Sequence, residues 1–145
     1  MIAKGINDAG RGINIVIVGN GKEILKTAHF DTYAEDSTNL EIFLEGLFEN
    51  TIIIAVTFDE ASTKLAMLAR NLFFDLGSGL VQNLRFRDSW FFVGKKGIQG
   101  FTPIEEISYA GPEDAYPKVI DRRFCVPQTC KSYTKRRIIW LVWLH

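Results

Sequence analysis

The sequence predicts a domain that mixes helix and strand, and three observations carry the prediction. Residues 13–18 form a strand candidate, apolar except for Asn14, that Gly19-Asn20-Gly21 joins to an alternating run at 23–30. Leu40, Phe43, Leu44, Leu47 and Phe48 recur at helical spacing. Residues 51–58 (Thr-Ile-Ile-Ile-Ala-Val-Thr-Phe) are rich in β-branched side chains. With the segments that follow, the order is strand, helix, strand, helix, strand, which suits a parallel doubly wound sheet. The opening hairpin argues instead for a mixed or antiparallel α+β sheet. The pattern leaves both arrangements open.

Each element has a local reason. Gly19, Asn20 and Gly21 tolerate the positive φ that a tight hairpin demands. Ser37 stands where an N-cap belongs, and Glu49-Asn50 closes the first helix. The 51–58 run reads as a strand buried on both faces. Asp59-Glu60-Ala61-Ser62 then makes a strand-to-helix turn, with acidic residues near a new helix N-terminus where the dipole favours them. Leu65, Leu68, Ala69 and Leu72 line the second helix, and Gly77 stops it. Residues 78–84 suit a short third helix. Beyond Gly97, Pro103, Gly111-Pro112, Pro117 and Pro127 mark irregular structure.

Composition narrows the function. The chain has 145 residues, which suits one domain with a real core. Seventeen basic residues balance seventeen acidic ones, so no basic face is expected for nucleic acid or anionic membrane. Lys131, Lys135, Arg136 and Arg137 crowd the C-terminal end and read as a solvated tail. Met1-Ile2-Ala3-Lys4-Gly5 lacks the apolar core of a signal peptide. The apolar run at 138–144 is far shorter than the roughly 20 residues a membrane helix needs, so no membrane insertion is expected. Cys125 and Cys130 flank a Val-Pro-Gln-Thr loop, a spacing compatible with a small disulfide that does not require one.

The chemistry of enzymes is sparse. Gly19-Asn20-Gly21-Lys22 lacks both phosphate-loop and dinucleotide spacing. Of two histidines, His29 lies mid-strand with no neighbour marking it as a base. Cys and His are too few for a zinc site, and Asp31, Glu35 and Asp36 lack the rhythm of a calcium loop. No catalytic residue, metal or cofactor is expected. The most informative stretch is 86–97. Its second half, Trp90-Phe91-Phe92-Val93, reads as a buried strand in which Trp90 faces opposite to Phe91 or Phe92. Its first half, Phe86-Arg87-Asp88-Ser89, is polar. Such residues at a strand entry either tie a corner or hold a polar ligand.

Several segments together resemble one family. They are Gly10-Arg11-Gly12-Ile13-Asn14-Ile15-Val16, Phe30-Asp31-Thr32-Tyr33, and Val56-Thr57-Phe58-Asp59-Glu60 with Ser62-Thr63-Lys64-Leu65. Ala69-Arg70-Asn71-Leu72-Phe73 with Leu76-Gly77-Ser78, the 86–97 run, and Phe124-Cys125-Val126-Pro127-Gln128 complete the set. In order and spacing they resemble the interleukin-like EMT inducer and pancreatic-derived factor (ILEI/PANDER) proteins over residues 8–128. Residues 129–145 form a basic and then apolar tail outside the resemblance.

The resemblance implies an α+β fold of two antiparallel sheets flanked by short helices. It implies a non-enzymatic, secreted, disulfide-bearing, cytokine-like domain that binds a cell-surface receptor or glycan; it leaves the oligomeric state open. The usual partner of the family cysteine matched by Cys125 lies upstream of this chain, which reads the chain as a piece of a longer protein. A related domain forms the stem of the enzyme that adds N-acetylglucosamine to protein O-mannose. That resemblance implies a lectin-like alternative for β-linked N-acetylglucosamine. Its sugar contacts fall on Arg11, Asp59 and Arg87, with Phe86 available to stack on the sugar ring. A carboxylate accepts from sugar hydroxyls, and guanidinium groups donate in fixed geometry. The competing expectation is a corner network of the same three residues.

Overall fold

The computed structural model of the chain describes residues 8–19 and 23–124. Cys125, Cys130, the 129–145 tail and the Asn20-Gly21 step lie outside the described residues. Five strands and two helices follow in the order β1 (Gly12–Val18), β2 (Ile24–Phe30), α1 (Thr38–Glu45), β3 (Ile52–Phe58), α2 (Met67–Asp75), β4 (Ser89–Lys95) and β5 (Glu105–Ser108). The strands form one sheet in the order β2-β1-β3-β4-β5, with every neighbouring pair antiparallel. The fold is therefore α+β, and the parallel alternative falls. The described residues hold one sheet, not the two that the resemblance implied.

The register explains the core. Ile15 of β1 pairs with Ala28 of β2 and with Ala55 of β3, which pairs with Phe92 of β4. Side chains alternate along each strand, so one face collects Ile13, Ile15, Ile17, Ile53, Ala55, Trp90 and Phe92. Leu40 and Leu44 of α1 and Ala69 and Phe73 of α2 pack on it. Trp90 and Phe92 stack at 5.4 Å, and Phe73 meets both rings edge-on. The opposite face carries Val16, Val18, Ile52, Ile54, Val56, Phe91 and Val93, so β3 is buried on both sides. Phe91, not Phe92, opposes Trp90.

The helices are shorter than their apolar patterns suggested. α1 ends at Glu45 because the chain must turn back to β3 within six residues, and Phe48 is left exposed. Ser37 does sit at the N-cap, yet its hydroxyl caps nothing. It donates to Glu41 at 2.8 Å and accepts the Ala66 N–H at 3.0 Å, which pins α1 to the entry of α2. α2 begins only at Met67, so Leu68 faces solvent and the unforeseen Phe73 takes the core position. Gly77 ends α2 as expected. Its φ of 102° and the bonds Gly77 N–H to Phe74 C=O and Ser78 N–H to Phe73 C=O make a Schellman close. The third helix is one 3-10 turn, Val81–Asn83.

β5 has no strong sequence signal and was expected to be irregular. Its Glu105 explains its place. One carboxylate oxygen accepts the Trp90 indole N–H at 2.8 Å and the Ser78 hydroxyl. The other accepts the N–H groups of Gly79, at 2.8 Å, and Leu80. The strand is held by polar bonds to the core tryptophan and to the chain after α2, which periodicity does not record.

Candidate functional site

The antiparallel register gathers distant residues at one end of the sheet. Gly12 pairs with Phe58, and Ile13 pairs with Phe30. Arg11 and Asp59 therefore flank a paired position, and Asp31 follows β2 at the same end. The β3–β4 ladder stops at Val56 and Phe91. One residue further, the Thr57 hydroxyl takes the Trp90 N–H at 2.8 Å. Beyond that point the two chains separate into the 59–63 turn and the 85–88 turn. Gly12 is obligatory here, since at its φ of 103° a Cβ would lie 2.1 Å from the Phe30 carbonyl.

Both turns carry unusual backbone. Asp59 has φ 57° and Arg87 has φ 59°, the left-handed region that costs a non-glycine residue about 1–3 kcal/mol. Glu60, 2% exposed, holds both in place. Its Oε1 accepts the Ser62 N–H at 2.5 Å and the Thr63 N–H at 2.8 Å, together with both hydroxyls. Its Oε2 accepts the Arg87 N–H at 2.5 Å. The acidic pair at 59–60 was expected to serve a helix N-terminus; α2 starts seven residues later, and Glu60 instead clamps the two turns together. Behind them Arg70 donates to the carbonyls of Leu65, Val81 and Leu84. Burial lowers the Arg70 pKa, and the charge of Glu60 opposes that shift.

The three expected site residues differ in their pairing. Arg11 makes a two-pronged bond to Asp31, with its closest contact at 2.8 Å, and lies 4.4 Å over the Tyr33 ring. This hydrogen bond, with N–H groups of Ala34 and Tyr33, holds the Asp31 carboxyl down at about 2. The bond to Asp31 likewise raises Arg11, and Asp59 adds a smaller electrostatic contribution. Arg87 places Nε 4.0 Å from Asp59, too far for a hydrogen bond, and this buried Nε has no hydrogen-bond partner among the described residues. Its Nη1 donates to the Ala115 carbonyl, and its guanidinium lies 5.6 Å from the Phe86 ring and 5.9 Å from Tyr116. Phe86 and Tyr116 are themselves exposed.

Asp59 thus keeps a partly exposed carboxylate that accepts no hydrogen bond among the described residues, with one guanidinium beside it and a second near enough to be felt. Asp88 behaves differently. Its buried carboxylate accepts the Arg85 N–H at 2.9 Å, the Arg85 Nε–H at 3.2 Å and the Ala110 N–H at 2.7 Å. It ties a corner, which is the first of the two jobs foreseen for the polar half of the 86–97 run. Sequence reasoning missed Glu60, Arg70 and Asp31 as organisers. Their type and spacing alone do not mark that role, and only their hydrogen bonds in the folded chain reveal it. Among the described residues no group of three or more His, Cys, Asp or Glu side chains could hold a metal ion, and no helix is long and apolar enough to cross a membrane.

The sequence pattern of the family described as ILEI, interleukin-like EMT inducer, matches residues 11–98. The chain is 38% identical over 128 residues to Protein FAM3C of Homo sapiens, covering 84% of this chain and 56% of that protein. It is 40% identical to Protein FAM3C of Danio rerio over 83% of this chain and 56% of that protein. It is also 34% identical to Protein FAM3A of Mus musculus over 88% of this chain and 58% of that protein. The chain spans a little over half the length of these relatives.

Proposed function

The chain belongs to the interleukin-like EMT inducer family, and we propose from that premise that it is a secreted, non-enzymatic signalling domain that binds a cell-surface partner. The observation that supports this reading is the Asp59 carboxylate, partly exposed at the end of the sheet and accepting no hydrogen bond among the described residues. A carboxylate used only to tie a corner is saturated, as Asp88 is. Glu60 holds Asp59 and Arg87 in left-handed conformations, and such strain concentrates at binding sites. Labelled chain added to intact cells should bind saturably and be displaced by excess unlabelled chain. Asp59→Asn, whose side chain tolerates the left-handed backbone, should lose that binding with its melting temperature almost unchanged; equal binding by the variant would place the contact elsewhere.

The lectin-like reading is favoured by the exposed Phe86 and Tyr116 rings beside the Arg87 guanidinium. Aromatic faces next to fixed donors suit a sugar ring. Methyl β-N-acetylglucosaminide should shift the amide resonances of Asp59 and Arg87, with an affinity on the order of millimolar, about −4 kcal/mol. Asp59→Ala should abolish the shifts. If the variant unfolds and no glycoside perturbs the wild type, Arg11, Asp59 and Arg87 are a structural corner.

A further inference from the structure

An open hollow lies along the 82–85 stretch and is lined by Gln82, Asn83, Leu84, Arg85 and Tyr109, with a volume of about 410 Å³. Bonds already described hold two of its lining residues, Arg85 and the Tyr109 backbone, in place. The buried Asp88 carboxylate takes the backbone N–H and the Nε–H of Arg85, and its other oxygen takes the Ala110 N–H, next to Tyr109. The Arg85 guanidinium lies 4.4 Å over the Tyr109 ring. Arg85 is thus held along one edge and one face. Its two terminal nitrogens make no hydrogen bond among the described residues, and the side chain is 62% exposed. Asn83 likewise has no hydrogen bond to its amide, whereas the Gln82 amide is steadied by Asn71 at 3.1 Å.

We propose that this hollow is an anion site that receives the carboxylate or sulfate group of an acidic sugar. A guanidinium pre-set by a buried carboxylate and an aromatic ring loses little freedom when it binds. Its outward edge matches two oxygens of one anionic group. Asp88 offsets part of the Arg85 charge, but within the guanidinium it engages only Nε and leaves both terminal nitrogens open to an anion. The amides of Asn83 and Gln82 supply donors and acceptors for the hydroxyls that flank such a group on a sugar. A peptide is the poorer fit, since Leu84 is the one aliphatic residue in the lining and a side-chain anchor needs an apolar pocket. The site uses none of Arg11, Asp59 and Arg87, so it stands or falls separately from them.

Heteronuclear NMR with arginine Nε detection tests the assignment on the whole chain. Methyl glucuronide and galactose 6-sulfate at millimolar concentration should shift the Arg85 Nε–H and the Asn83 side-chain amide; methyl glucoside and galactose should not. Arg85→Gln should weaken binding at least tenfold, and Asp59→Ala should leave it unchanged. Should Arg85→Gln fail to fold, Asn83→Ala, which removes no described hydrogen bond, should still weaken it several-fold. The proposal is overturned if the neutral sugars shift the same resonances equally, or if neither acidic sugar shifts them. It is also overturned if a glutamate hexapeptide shifts them while the acidic sugars do not.

Discussion

The two faces of the sheet are equally buried but differently covered. One lies under α1 and α2, where Phe73 wedges against the Trp90–Phe92 stack. The other carries mostly β-branched residues, and the described residues that reach it, Ala9, Ile104, Ile120 and Phe124, belong to no helix. Its cover is tied down by polar bonds at the start of β4: Ser89 Oγ–H to the Lys118 carbonyl and Ala110 N–H to Asp88. A helix brings its own hydrogen bonds to a sheet, whereas an irregular segment must borrow them from side chains. The first face should therefore be rigid and costly to disturb, and the second should yield more readily.

The strongest way to break this comparison is Trp90→Ala, which removes a fully buried ring and takes the indole N–H away from the Glu105 oxygen that it shares with Ser78. A loss of about 3–5 kcal/mol is expected in denaturant melts. An unchanged midpoint would show that the aromatic stack is not the stabilising centre. Next comes Glu60→Ala, which strands buried N–H groups in both site turns. About 2–4 kcal/mol should be lost, together with the NMR signature of ordered turns at 59–63 and 85–88. If the turns stay ordered, their left-handed residues are set by something other than this carboxylate. Ile120→Ala, on the loop-covered face, should cost about 2 kcal/mol, the low end for such truncations, because an irregular segment can settle into the space. A cost matching that of Trp90→Ala would erase the difference between the faces.

The smallest effect concerns pH. The Asp31 carboxyl is held below its ordinary value by Arg11, so the folded state binds this proton less readily than the unfolded chain. Its contribution is complete above the ordinary carboxylate range and is lost as pH falls through about 2. An exposed pair of this kind contributes little. Asp31→Asn should flatten the acid limb of the stability curve slightly and leave the neutral-pH melt almost unmoved. A steep change near neutrality would contradict the sign of this linkage.

Much of the fold was legible in the chain itself. The β1–β2 hairpin, the two-sided burial of β3, the Gly77 stop and the strand at Trp90 all follow from local patterns: apolar runs, alternation and turn residues act over a few neighbours. Helix ends were not legible, because Phe48 and Leu68 fit a helical stripe whose length is decided by where the next strand must begin. β5 was missed because Glu105 is placed by bonds to Trp90, Ser78, Gly79 and Leu80, partners 15 to 27 residues away.

The site divides in the same way. The resemblance to a sugar-binding stem domain nominated Arg11, Asp59 and Arg87. That Arg11 is bound to Asp31, that Asp59 is left open and that Glu60 clamps both turns was decided only when the antiparallel register brought the ends of β1, β2, β3 and β4 together. Pattern reports which side chains are apolar, and so which face turns inward. Which polar group meets which depends on distances between segments far apart in sequence, and only the assembled sheet sets those.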